Sequence, residues 1–185
     1  MIKAFAKTQQ ELEETNIQIR HGNRKTIEYL IKKNIKGRIL DIGQRSPLTQ
    51  QLEEAFKIKI DNTDGDLDGD FKIPGKDYDV VIFSHTLEHI FDPVHCLLKI
   101  KGAMKPGSEM FIMLPRRGKL LWAGNHYHEI DHYRIQKLMQ RTGLMIVSWK
   151  HSKVWRPPHQ YFKGLRSFYR LFREYNITYQ IQKKS

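Results

Sequence analysis

Three short apolar runs, each set between segments of helical pattern, constrain this chain more than any other feature. They are "GRILDIG" (37–43), "YDVVIFS" (78–84) and "EMFIMLP" (109–115). Continuous apolar runs of this length suit strands buried on both faces, and such strands occur in parallel sheets covered by helices. The segments around them carry helical signals. Residues 8–34 read as a helix that places Ile27, Leu30 and Ile31 on one face, and "NIKG" ends it. "SPLTQQLEEAF" (46–56) has Ser46 at the N-cap and Pro47 at the first helical position. Asp92-Pro93 opens a third helix, "VHCLLKIKGAM", which "KPG" (105–107) stops. "IDHYRIQKLMQRTG" (130–143) is a fourth, reached through a loop over 116–129. "KIKID" (57–61) alternates as a further strand, and "LMIVSWK" (144–150) and "NITYQIQ" (176–182) add two more. Strands alternating with helices predict an α/β fold, with a mainly parallel sheet and helices on both faces. Ligands of such sheets bind beyond the C-terminal strand ends, here Asp41–Gly43, Asp61, Ser84–His85 and Pro115–Arg116.

The 185 residues suffice for one domain with a substantial core, so we expect a single domain. Its parts are an N-terminal helical segment (1–36), a core (37–150) and a basic, aromatic helix with a final strand (151–185). One cysteine, Cys96, cannot form an internal disulfide, and the start turns polar too early for a secretory signal, so a cytoplasmic setting is expected. The net charge of +12 is concentrated at one end: residues 150–185 hold nine Lys/Arg against Glu174 alone. A basic tail on a near-balanced body suits an anionic partner, whether nucleic acid, a lipid headgroup or a phosphorylated small molecule, and equally suits a merely solvated face.

Two strings suggest metals. "HTLEH" (85–89) fits H-x-x-E-H, but His85 follows straight from a strand and Asp92-Pro93 resets the chain three residues after His89. That leaves barely one helical turn as a platform, although His126, His128 or Glu129 could add a ligand. "DGDLDGDF" (64–71) matches half of a calcium loop, yet its closing glutamate position is Gly75. We therefore expect no metal site.

The order "ILDIG", "KID", "GDF", "YDVVIFSHTLEHIFDP", "MKPGSEMFIMLP" and "HEIDHYRIQKLMQRTGLMIV" resembles the class I S-adenosylmethionine-dependent methyltransferases, nearest to their small-molecule group. The likeness spans 37 to about 150. It implies a Rossmann-like sheet with an antiparallel last strand and S-adenosylmethionine as cofactor. It implies Asp41, Gly43, Asp61, Asp70, Phe71, Ser84 and His85 as cofactor-binding residues, with Leu87 and Ile90 packing beneath the loop and Glu88 and His89 bracing it. Asp61 lies 20 positions past Asp41, the spacing of a ribose-binding carboxylate. His128 and His126, in "NHYHEIDH", are the candidate general bases for a small-molecule acceptor.

The pattern breaks in one place. Where family members carry Gly-x-Gly-x-Gly, "DIGQRSP" keeps Gly43 but puts Arg45 and Pro47 at the later positions. The span between the second and fourth family strands is also short, so the third is expected to be missing. Two functions follow from this: methyl transfer, or a degenerate fold retained as a binding module. In the tail, Tyr161, Leu165, Phe168 and Phe172 fall at helical spacing opposite Lys163, Arg166, Arg170 and Arg173. We expect this helix to be a lid packed by its aromatic face on the domain. A peripheral membrane or lipid-like partner is the alternative, and nucleic acid is not favoured.

Overall fold

In the computed structural model, residues 9–116, 126–154, 157–162 and 164–184 are described, without the side chains of 9–18, 160 and 166. The expected loop over 116–129 thus lies largely outside the described residues, as does Lys163.

The long helix α1 (Gln9–Lys32) leads into the short strand β1 (Ile39–Asp41), and α2 (Pro47–Phe56) follows. Ser46 caps α2 as the sequence predicts, in a reciprocal capping box with Thr49, and Pro47 stands at the first turn. "KIKID" is not a strand except at its end: β2 is only Asp61–Asn62. Lys57 takes the left-handed C-cap of α2, and the next residues climb to the sheet edge. β3 (Tyr78–Ser84) leads into a single 3₁₀ turn (Leu87–His89), and α3 (Pro93–Ala103) is capped by Asp92. β4 (Met104–Arg116) begins five residues before the apolar run that announced it. α4 (His132–Thr142), β5 (Leu144–Lys153), α5 (Pro158–Tyr161), α6 (Leu165–Arg173) and β6 (Tyr175–Lys183) complete the order.

The sheet order is β2-β1-β3-β4-β6-β5. β1, β2, β3 and β4 pair in parallel, while β6 runs antiparallel to both its neighbours. Among the described residues the edge strand is β2, and no strand lies beyond it, so the expected loss of one strand is what the sheet displays. Alternate residues of β3 feed opposite layers. Val80 and Ile82 pack with Leu30 of α1 and Leu48 and Leu52 of α2, whereas Val81 and Phe83 pack with Leu97 and Ile100 of α3 and Ile135 and Met139 of α4. Ile31 departs from the expected inner face of α1 and is exposed, while Ile27 and Tyr29 pack alongside Leu30.

The lid expectation fails. Phe162, Leu165, Phe168 and Phe172 are all exposed, Leu165 at 90%. The helical segment is broken at Gly164 (φ 108°), which splits one expected helix into α5 and α6, and neither lays an aromatic face on the domain. No helix among the described residues is long and apolar enough to cross a membrane.

Tyr179 of β6 is fully buried, and its hydroxyl has no hydrogen-bond partner among the described residues. Burial pushes that hydroxyl up to about 12. An unsatisfied buried hydroxyl costs folding free energy that a ring of the same shape without it does not. Tyr179→Phe should therefore raise stability, by about 1 kcal/mol, in a urea unfolding curve; a loss of stability would show that the hydroxyl is satisfied in solution.

Candidate functional site

Parallel sheets of this kind open a crevice where the chain order reverses. Here the reversal lies between β1 and β3, which are hydrogen-bonded neighbours although β2 intervenes in sequence. A cleft of about 820 Å³ stands there, within the range of small-molecule sites. Its floor is Asp41, Ile42, Gly43 and Gln44 at the end of β1, with Ser84, His85 and Thr86 at the end of β3. One wall is α1, from Ile19 to Lys32, and the adjoining wall runs from the end of β5 (Lys150–Val154) to Glu174 and the start of β6, the two meeting where Lys25 Nζ donates to the Lys153 carbonyl at 2.8 Å.

The turn after β1 solves the missing-glycine problem locally. Gly43 takes φ 110°, a conformation that disfavours any side chain, and a Cβ there would meet no atom within 4 Å. Its N–H donates to Thr63 Oγ1 at 2.8 Å. Asn62 Nδ2 donates to the carbonyls of Asp41 and Gly43, both at 3.3 Å. Arg45 does not enter the cleft: its guanidinium forms a two-pronged pair with Glu53 of α2, whose carboxylate also accepts from the Ile60 N–H. The positive charge that Arg45 threatened to bring beside the cofactor is thereby turned to the outer surface.

Asp41 is buried beneath this turn and accepts from Thr49 Oγ1 at 2.6 Å. Burial pushes its carboxyl up from 3.8 to about 6, against the opposing hydrogen bonds from Thr49 and Asn62. His85 also carries backbone strain, at φ 55°. It is held by its N–H on the Met113 carbonyl (3.1 Å), by Asn176 Nδ2 near its Nε2 (3.4 Å), and by Glu88 Oε1 3.7 Å from its Nδ1.

Of the residues singled out by sequence, Asp41, Gly43, Ser84 and His85 meet in the cleft. The others do not line it. Asp61 accepts from Arg38 Nε and Nη2 and from the Tyr78 hydroxyl, which spends its carboxylate on closing the sheet edge. Asp70 is exposed beside Lys99. Phe71 is core, with the Lys99 ammonium over its ring. His126 packs its ring edge-on against His89 and pairs with Glu129, and His128 Nε2 donates to the Phe91 carbonyl at 2.9 Å. Both histidines sit on the loop before α4, outside the cleft lining. Leu87 and Ile90 pack beneath the β3 turn as expected, and Glu88 braces it through its backbone carbonyl, which accepts from the N–H groups of Tyr127 and His128, as well as through its carboxylate beside His85.

Sequence reasoning missed the α1 wall (His21, Lys25, Lys32) and the β5–β6 wall (Lys150, His151, Lys153, Asn176). The rule that ligands sit past strand ends would have pointed to 150–154, once β5 was known to run parallel to β4.

The profile of a methyltransferase-domain family matches residues 15–180, so the chain belongs to that family. Its wider group is the class I S-adenosylmethionine-dependent methyltransferases, for which S-adenosylmethionine is the cofactor. No significant match exists among curated proteins. Solved structures share the fold. A phosphoethanolamine N-methyltransferase of Haemonchus contortus, in complex with phosphomonomethylethanolamine and S-adenosylhomocysteine, is 13% identical with a TM-score of 0.61; the match covers 87% of this chain and 53% of that one. A methyltransferase of Archaeoglobus fulgidus is 15% identical with a TM-score of 0.57, covering 87% and 93%. The [4+2]-cyclase SpnF, at 11% identity and a TM-score of 0.58 over 86% and 81%, shows that the fold is not tied to one reaction.

Asp41 supplies a pH test. A carboxyl raised on folding contributes stability that is fully present below its unfolded value and lost as pH rises through its folded value near 6. Ionising it should cost about 3 kcal/mol at neutral pH, from the shift in pKa. Wild-type stability should therefore fall between pH 4 and pH 7, and Asp41→Asn should flatten that part of the profile in denaturant titrations. An equal fall in both proteins would assign the pH dependence elsewhere.

Proposed function

We propose that this protein methylates an anionic, amphiphilic small molecule held in the cleft, with S-adenosylmethionine as donor. The observation that carries the reading is the make-up of the cleft walls. Lys32 of α1 and Lys150 and Lys153 of β5 line it, over a floor of switch-point residues typical of nucleoside sites, while Lys25 Nζ donates to the Lys153 carbonyl at 2.8 Å and ties α1 to that strand end. The segment bearing Phe162, Leu165, Phe168 and Phe172 leaves the cleft rim at Val154 and returns to it at Glu174, so its exposed apolar surface is tethered at the mouth. An acceptor with a charged head and an apolar body would use both. The phosphorylated acceptor bound by the nematode enzyme is of the same charge class, which supports the reading by analogy of fold alone.

The cofactor supplies a methyl group made electrophilic by its sulfonium. The turn Gly43-Gln44 and the β3 end Ser84-His85 are assigned to hold it, with the buried Asp41 fixing the turn from below. The lysines orient the acceptor, and orientation supplies much of the rate of such a transfer. The imidazoles that reach the cleft are His21, His85 and His151, and a proton leaving the acceptor passes to one of these rather than to His126 or His128.

One observation favours the alternative of a binding module. Thr63 already occupies the Gly43 N–H, a donor that a glycine-rich turn would otherwise offer to ligand. Calorimetric titration separates the two. S-adenosylmethionine or S-adenosylhomocysteine should bind in the micromolar range; no binding up to millimolar would leave the module. Lys150→Glu/Lys153→Glu should then weaken capture of anionic acceptors about tenfold or more while leaving cofactor affinity unchanged. Unaltered acceptor capture in this variant would remove the anionic assignment. Flotation with anionic liposomes should lose any bound protein on Phe168→Ser/Phe172→Ser; retention would place lipid contact elsewhere.

A further inference from the structure

We infer that the chain carries a divalent transition-metal site, of the zinc type, formed by Glu88, His89 and His126. The set is not the His85/His89 pairing that H-x-x-E-H suggests. His85 turns toward the cleft, and His126 arrives instead from the loop before α4. One ligand atom from each of Glu88, His89 and His126 lies within 4.8 Å of the others.

Three observations point to a bound cation rather than a chance grouping. First, Glu88 is 2% exposed and its Oε2 has no hydrogen-bond partner among the described residues. A buried carboxylate oxygen in that condition is costly unless something positive meets it. Second, His126 Nδ1 lies 3.1 Å from Glu129 Oε1. With that nitrogen donating to the carboxylate, the lone pair is on Nε2, the carboxylate–histidine arrangement that orients metal-binding imidazoles. Third, the two segments are already pinned together, since the N–H groups of Tyr127 and His128 both donate to the Glu88 carbonyl, at 3.1 and 3.2 Å. The backbone thus holds the donors near one another before any ion arrives.

Two imidazoles and one carboxylate, with a fourth position open, form a donor set that zinc takes readily and that magnesium and calcium, which prefer oxygen, do not. Adjacent ligands of a tetrahedral zinc lie about 3.4 Å apart. The observed spread therefore closes with small side-chain rotations that turn the His89 and His126 ring nitrogens toward one point, the ring centroids, 4.8 Å apart, already being near the separation two imidazoles keep on one zinc. The ion would clamp the 3₁₀ turn after β3 to the segment before α4. It would also fix Glu88, whose other oxygen faces His85 of the cleft at 3.7 Å. The site thus stiffens one edge of the cleft floor and stands independently of which acceptor the cleft takes.

The test uses tag-free full-length protein, stripped with a chelator and titrated with zinc chloride against a chromophoric competitor, with thermal unfolding followed in parallel. We expect one zinc per chain and a melting temperature that rises with zinc. His89→Ala and Glu88→Gln should abolish both effects, Glu129→Gln should weaken binding about 10–100-fold, and His128→Ala, on the same loop but outside the set, should bind as wild type. Should Glu88→Gln fail to fold, His89→Ala, at a half-buried position, decides alone. Absence of zinc uptake by the wild type, or equal uptake by His89→Ala, overturns the site.

Discussion

The cleft depends on one buried hydrogen bond, from the Thr49 hydroxyl to the Asp41 carboxylate. It ties the last residue of β1 to the first turn of α2, across a turn that lacks the glycines usual at this place. Around it the same few side chains satisfy the turn's own polar groups. Ser46 and Thr49 cap α2 reciprocally, Asn62 reaches two carbonyls, and Thr63 takes the Gly43 N–H. A glycine-rich turn leaves its backbone open for a ligand to complete. This one is completed largely by protein, which makes the floor of the cleft rigid and explains how Arg45 and Pro47 are tolerated there.

The walls follow from the sheet order. Because β6 inserts antiparallel between β4 and β5, its start and the end of β5 emerge at the same edge as the parallel strand ends. Residues more than a hundred positions from Asp41 therefore face it, and they bring Lys150 and Lys153 with them. At the other edge the sheet stops at the two-residue β2. There Arg38, Asp61 and Tyr78 close the border with an ion pair, a hydrogen bond and a guanidinium 4.7 Å from the ring centroid. Such groups on an exposed edge discourage further strand pairing.

Strong local signals were legible in the sequence. β3 was readable to the residue because both its faces are apolar, and the starts of α2 and α3 were readable because Ser46 and Asp92 cap them next to prolines. The β1 and β3 ends of the site were readable for the same reason: a strand end in a parallel sheet is a place of known use. What misled was spacing without direction. Asp61 stands the right number of residues past Asp41, yet its side chain points to Arg38. His126 and His128 lie in the loop expected to cover the cleft, yet one packs on His89 and the other bonds the Phe91 carbonyl. The aromatic periodicity of 161–172 was real, but periodicity states only that a helix has two faces, and Gly164 interrupts it.

By itself, then, the sequence determined the class of the fold, the caps and buried strands that build it, and the membership of a methyltransferase lineage. These rest on contacts between near neighbours in the chain and on patterns of burial, which local composition encodes. Only the tertiary structure decided which polar side chains are consumed by the fold and which remain for a ligand. It sent Asp61 and Arg45 to structural ion pairs, left one Glu88 carboxylate oxygen without a hydrogen-bond partner among the described residues, beside two imidazoles, and joined α1 to the end of β5 through Lys25 and the Lys153 carbonyl. The reason is physical: a charged side chain is committed by the partner it meets in space, and that partner is set by strand order and helix packing.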